Sequence, residues 1–186
     1  MKITICGIPE LGQHCEAGVT HVLSILDPGW PDPEAFNDFP EHRREALRFN
    51  DVIAEQPGIV APSAVDVAQL LEYGREVLGA GPNAHLLIHC HAGVSRSTAS
   101  AALLLAQQDP ALPGEAIFTK IARIRPRAWP NLLLLELGET ALGRPGEFVS
   151  AVATQYRRVL LAEPEFAAYL AENGRAREVE LAKAQR

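Results

Sequence analysis

The stretch Leu86-Leu87-Ile88-His89-Cys90-His91-Ala92-Gly93-Val94-Ser95-Arg96-Ser97 decides the reading of this chain. It opens as a continuous apolar run, the pattern of a strand buried on both faces of a parallel sheet. It passes directly into an Ala- and Leu-rich helical segment, Ser97 to Gln108, which ends at Asp109-Pro110. A strand-to-helix junction of this kind lies at the carboxyl edge of an open α/β sheet, where ligands bind. His91, Ala92, Gly93, Val94 and Ser95 separate Cys90 from Arg96. That length suits a tight loop whose amide N–H groups converge on one anion, with the next helix adding the positive end of its dipole. Gly93 lets the chain turn with no Cβ in the way. Arg96 supplies a planar fork of donors matched to two phosphoryl oxygens. Such a ring of donors favours the thiolate of Cys90. A thiolate beneath a bound phosphate is an in-line nucleophile, so the expected reaction is phosphoryl transfer through a cysteinyl-phosphate intermediate. Ser97 places a hydroxyl where it helps the sulfur leave in the second step.

Working outward, Ile3 to Cys6 and His21 to Leu26 read as further strands, and Leu47 to Phe49 as a weaker one. Between them the spacing predicts a helix over Pro62 to Leu78, opened by the capping-box pattern Ser63-x-x-Asp66. Helices over Pro113 to Ile124 and Pro130 to Leu142 each start with a proline suited to a first turn. Asp27 to Glu45, with prolines at 28, 31, 33 and 40, reads as a long surface loop. From Arg144 the composition turns to Ala, Glu and Arg, and two amphipathic helices are expected, Glu147 to Leu161 and Glu165 to Lys183. The fold class is therefore α/β: a central, mostly parallel sheet of four to five strands flanked by helices, with a helical C-terminal half. Residues 1–142 form the expected catalytic domain, and 143–186 a C-terminal helical extension packed on it or trailing from it.

The chain has 186 residues, 47% of them hydrophobic and 22% charged, which fits one domain around one core. A net charge of −6 argues against broad nucleic-acid binding. No apolar run is long enough to span a bilayer, and Met1 to Gly7 lacks the apolar block of a signal peptide. The expectation is a soluble cytoplasmic protein with neither nucleic-acid nor membrane partners. Cys6, Cys15 and Cys90 contain no CxxC pair, which argues against a disulfide framework or a structural zinc site. Cys6 and Cys15 leave two readings open: a resolving thiol for oxidised Cys90, or core packing. His14, His21, His42 and His85 lack ligand spacing, so no metal is expected, and the scheme calls for no cofactor.

His89-Cys90-x5-Arg96-Ser97 resembles the signature of the cysteine-dependent protein tyrosine phosphatases, and the compact size is similar to their dual-specificity branch. The resemblance covers roughly residues 1 to 142. It implies an aspartate on a separate loop that protonates the leaving oxygen and then activates water. Trp30-Pro31-Asp32 spells the tripeptide of the larger tyrosine phosphatases but follows an early strand. Asp51, in Phe49-Asn50-Asp51, follows the strand before the Pro62 helix, which is where small dual-specificity enzymes carry their acid. Asp51 is preferred, and Asp32 is read as a solvated loop residue. The resemblance further implies that His89 hydrogen-bonds backbone near the nucleophile and that Asn131 braces the phosphate loop, with an ordinary first-turn role as the competing reading of Asn131. His91 is placed at the pocket rim or simply exposed, and Arg125 and Arg127 add positive potential beside the pocket or are solvated.

The implied function is a phosphomonoester hydrolase acting on a phosphorylated protein or a small phosphomonoester. The loop holds no lysine, which argues against a polyphosphoinositide substrate. Two other readings are a phosphate-binding adaptor without chemistry and a rhodanese-like sulfurtransferase. The latter also seats a cysteine in an anion-binding loop but has no use for a general acid.

Overall fold

The computed structural model describes residues 1–185. Strands β1 (Lys2–Gly7), β2 (His21–Leu26), β3 (Arg43–Arg48) and β4 (His85–Cys90) form one sheet in the order β1-β4-β2-β3. Every pairing is parallel. β4 is flanked by β1 and β2 and buried along its whole length, which is why its sequence reads as an unbroken apolar run. Side chains alternate across the sheet. Leu86, Ile88 and Cys90 face the larger core with Ile5, Leu23 and Ile25. On the other face Leu87, Cys6 and Val22 pack with Leu11, Val19, Phe36 and Phe39, of which Leu11 and Phe36 come from two short 3-10 turns, Ile8–His14 and Glu34–Asp38.

The described residues also form seven α-helices: α1 (Ala64–Gly79), α2 (Arg96–Gln108), α3 (Gly114–Ile124), α4 (Leu132–Ala141), α5 (Glu147–Ala162), α6 (Phe166–Glu172) and α7 (Ala176–Ala184). α1 starts with the expected box: Ser63 Oγ accepts from Asp66 N–H, and the Asp66 carboxylate accepts from Ser63 N–H at 2.9 Å. α2 is buried on nearly every side by small or aliphatic residues, among them Ala99, Ala102, Leu103 and Ala106. A helix apolar all round belongs in the interior, and this one carries its N-terminus to the end of β4. None of the helices is long and apolar enough to cross a membrane among the described residues.

Two expectations need correcting. β3 begins at Arg43, inside the segment read as surface loop. It is an edge strand with only Leu47 buried, so its polar sequence lacks the alternation that marks a half-buried strand; pairing with β2 makes it a strand. The single helix expected over Glu165 to Lys183 is two, α6 and α7, broken where Gly174 adopts φ +75°. The segment after residue 142 packs into the main core. Val152 and Tyr156 of α5, Leu170 of α6 and Val179 of α7 lie in the cluster that holds Leu86 and Ile88. Trp129 stacks on Tyr156 with ring centroids 4.2 Å apart and meets Phe166 edge-on at 5.5 Å. Full burial of one such side chain stabilises by roughly 1.5–3 kcal/mol, so this segment contributes substantially to the core.

The end of β1 and the loop after β4 touch backbone to backbone. A Cβ on Gly93, at φ +69°, would lie 2.4 Å from the carbonyl carbon of Cys6 and 2.5 Å from the Gly7 nitrogen. From the other side, a Cβ on Gly7 would lie 2.8 Å from the carbonyl carbon of Ala92. Gly93→Ala should therefore lower unfolding free energy by on the order of 3 kcal/mol, through left-handed strain and a backbone clash. Gly12→Ala, whose Cβ would meet nothing within 4 Å, should stay within about 0.5 kcal/mol of the parent. Urea titration of both variants is the check, and equal stabilities would mean that the close contact does not hold in solution.

Candidate active site

Every carbonyl of the loop His91–Ser95 has a donor. His91 O accepts from Ile8 N at 2.9 Å, Val94 O from Trp129 N at 2.9 Å, and Ser95 O from Ala99 N at 3.0 Å and Asn131 N at 3.3 Å. The Thr98 hydroxyl donates to Val94 O at 2.6 Å. Ala92 O and Gly93 O accept from Arg125, through Nη2 at 3.2 Å and Nε at 3.1 Å. The same guanidinium forks onto Glu10 at 2.8 and 2.9 Å, and Glu10 also accepts the Gly7 N–H at 2.7 Å. Peptide groups are planar with C=O and N–H opposed. Carbonyls turned outward onto these partners therefore send the amide N–H groups to the inner side, toward the N-terminus of α2, where an anion is favoured. Arg125, expected beside the pocket, acts on the loop from behind.

Inside this loop, Cys90 is buried and its Sγ lies 3.3 Å from Ser97 Oγ. Arg96 is 3% exposed. Its Nη1 donates to Asp27 Oδ1 and to the carbonyl of Phe49, both at 2.6 Å. With that side fixed, Nε remains a buried donor with no partner. A fork held by one nitrogen and unsatisfied along its other edge is what a two-oxygen ligand would complete. Asp27 is a residue that the sequence reading missed. It sits one position past β2 and orients the arginine, and its only sequence signal is that it ends a strand next to β4.

Asp51 is brought to the same cavity, of about 490 Å³, which Cys90, His91, Ala92, Val94, Ser95 and Arg96 also line. Its Oδ1 accepts from Ser95 Oγ at 2.7 Å and Asn131 Nδ2 at 2.8 Å, and its Oδ2 lies 3.3 Å from Arg175 Nη1. Withdrawal from solvent acts to raise its pKa, but the guanidiniums of Arg175 and Arg96 and the bonds from Asn131 and Ser95 outweigh it and hold the carboxyl below its ordinary range. Asn131 caps α4, its Oδ1 accepting from Leu134 N at 3.0 Å, while its Nδ2 holds Asp51 rather than the loop, which it meets only through its backbone N–H to Ser95 O. Arg175, between α6 and α7, is the second residue that sequence reasoning missed, since nothing in an Ala- and Glu-rich tail marks one arginine among several. Arg127 lines the cavity while paired with Glu163 at 2.6 Å.

Asp32 does not reach the cavity. It is ion-paired on the surface with Arg44 at 2.9 Å and Arg48 at 2.6 Å. Its neighbour Trp30 lies instead over His91, ring centroids 4.4 Å apart, at the cavity rim. The His91 Nε2 accepts from Asp27 N–H at 3.3 Å.

His89 lies against the Cys90 backbone, an interaction that acts to raise its pKa against the larger lowering by burial. Its Nε2 is bonded to Ser24 Oγ at 2.7 Å, which in turn accepts from Arg44 Nε at 2.8 Å. Register explains this: His89 points to the face opposite Cys90, where Ser24 stands beside it on β2. Cys6 shares that opposite face, which separates it from Cys90, and burial pushes its thiol up to about 12. Cys15 donates to Gly12 O at 3.1 Å.

No family model matches the chain, and no curated protein matches it. Among solved structures, human DUSP28 aligns with a TM-score of 0.57 at 20% identity, over 76% of this chain and 91% of that one. DUSP15 aligns at 0.55 and 20% identity, over 75% and 82%. PTPMT1 in complex with PI(5)P aligns at 0.53 and 16% identity, over 76% and 90%. The chain has the fold of the dual-specificity phosphatases.

Burial pushes the His89 pKa from 6.5 down to about 4. The unfolded state then binds a proton that the folded state refuses, so stability falls as pH drops from about 6.5 toward 4. At pH 4.5 this one residue should have removed roughly 2.5 kcal/mol relative to pH 7.5. Urea unfolding of the parent and His89→Gln at both pH values is the measurement. The two proteins should lose different amounts by about that figure, and identical losses would mean His89 is not held neutral.

Proposed function

We propose that the protein is a cysteine-dependent phosphomonoester hydrolase of the protein tyrosine or dual-specificity type. One observation carries this reading: Cys90, the unsatisfied edge of Arg96 and the carboxylate of Asp51 line a single cavity under a loop whose carbonyls are all turned away. In the proposed reaction the phosphate rests on the loop amides and the Arg96 fork, and the Cys90 thiolate attacks phosphorus. The P–O bond to the leaving group breaks as Asp51 gives its proton to the departing oxygen. Water then attacks the cysteinyl-phosphate, Asp51 takes its proton, and the P–S bond breaks with the Ser97 hydroxyl donating to the sulfur.

The substrate class follows from what surrounds the loop. Arg175 is occupied by Glu178 and Asp51, and Arg127 is solvent-exposed and paired with Glu163, so Arg96 is the buried guanidinium with an unused edge, enough for one phosphoryl group. Trp129, Phe166 and Tyr169 supply an aromatic wall. This combination supports a single phosphate on an aryl or protein carrier, phosphotyrosine first, over a polyphosphoinositide. A carboxylate held beside the cysteine supports a hydrolase over a sulfurtransferase or a binding-only adaptor. Cys6, Cys15 and Cys90 are all free thiols, which suits a reducing, cytoplasmic setting.

p-Nitrophenyl phosphate hydrolysis tests the reading. Cys90→Ser should abolish turnover, and Asp51→Asn should lower kcat/KM about 10²–10⁴-fold. The parent should show a bell-shaped pH profile on the acid side of neutral, because Asp51 is held below its usual range, and the falling limb should flatten in Asp51→Asn. Undiminished turnover in Cys90→Ser would end the proposal.

A further inference from the structure

We propose that Arg175 is a positioning residue for Asp51, by which the C-terminal helices fix the free carboxylate oxygen and make the segment after residue 142 part of the reaction centre. The inference rests on the hydrolase reading and deepens it. The two oxygens of Asp51 have different company. Oδ1 is saturated by Ser95 and Asn131, whereas Oδ2, the oxygen left to exchange a proton with substrate or water, faces Arg175 Nη1 at 3.3 Å.

Arg175 is itself rigidly held. It is 9% exposed; Nε donates to Glu178 Oε2 at 2.7 Å, and Nη2 donates to Glu178 Oε1 at 2.8 Å and to Ser95 Oγ at 2.9 Å. Glu178 is 0% exposed and is fixed by Trp129 Nε1 at 2.5 Å and Leu132 N at 3.0 Å. A chain of charge-assisted bonds therefore runs from α7 through Arg175 to both Asp51 and Ser95. The guanidinium lies between two carboxylates. Glu178 takes part of its charge, and what remains decides how readily Asp51 accepts a proton.

The groups that bear on this chain come from every element around it. The loop brings His91 and Ser95, α2 brings Arg96, α4 brings its cap Asn131, α5 brings the buried Tyr156 hydroxyl, and the α6–α7 corner brings Arg175 and Glu178. Only Arg175 and Arg96 are cationic toward Asp51, and Arg96 is committed to Asp27 and the phosphate. Arg175 is thus the residue able to set Asp51 without touching the phosphate.

The two ends of the chain give opposite expectations, which a merely structural role would not. In Arg175→Met, Asp51 loses its cation, so the falling limb of kcat/KM for p-nitrophenyl phosphate should move to higher pH by about one unit or more. In Glu178→Gln, Arg175 turns its whole charge to Asp51, and the limb should move to lower pH by roughly half a unit. The ionisation of the substrate is common to all the proteins and drops out of the comparison. Circular dichroism shows which variants fold; Arg175→Met leaves Glu178 buried and uncompensated, and if it does not fold, the near-isosteric Glu178→Gln decides alone. Limbs that coincide with the parent, or that move the opposite way, overturn the role of Arg175 while leaving the hydrolase reading intact. An unchanged falling limb in Asp51→Asn overturns the choice of Asp51 itself, and the role of Arg175 with it.

Discussion

The arrangement depends on the outward anchoring of five carbonyls. A loop of amides does not converge by itself, because every peptide carries an acceptor as well as a donor, and a carbonyl turned inward would repel an anion. Each carbonyl from His91 to Ser95 has instead been given a donor elsewhere: the Ile8 amide, the Arg125 fork, the Trp129 and Asn131 amides, the Thr98 hydroxyl and the first turn of α2. These donors come from four separate parts of the chain. The inner face of amides is therefore a tertiary product, and it is rigid because each anchor is itself packed.

Arg125 shows how charge is used for this. A cation beside a phosphate site invites the idea of direct attraction, yet its fork is spent on Glu10 and on two carbonyls. It therefore contributes geometry more than potential. Glu10 closes the circuit by accepting from Gly7 N–H, so the end of β1 and the loop after β4 are clamped together across the close glycine contact. Asp27 does the same for Arg96: it fixes one nitrogen and leaves Nε unpaired.

The segment after residue 142 changes character once it is seen folded. Its aromatic and aliphatic residues pack into the main core, and its Arg175–Glu178 pair reaches the site at Asp51. A buried Arg–Glu pair is weak grounds for stability, since desolvation offsets much of the attraction. A role in placing a proton-exchanging carboxylate gives such a pair a chemical reason to exist.

The sequence by itself determined what short-range chemistry can encode. The unbroken apolar run of β4, the five-residue interval from Cys90 to Arg96, Gly93, and the Ser63–Asp66 cap all follow from local spacing, and they yield an α/β sheet with Cys90 at its carboxyl edge. Asp51 was legible through the order of elements rather than through its neighbours. Tertiary structure decided the rest. β3 is a strand because β2 offers it partners: Leu47 to Phe49 marked its end, but Arg43 to Ala46 carry no strand pattern of their own. His89 also meets Ser24 on β2, because strand register sends its side chain to the face opposite the Cys90 thiol. Asp27 and Arg175 reach the site across 69 and 124 residues of chain to Arg96 and Asp51, and a pairing at that separation leaves no mark in either local sequence, since only the packed fold brings the charges together.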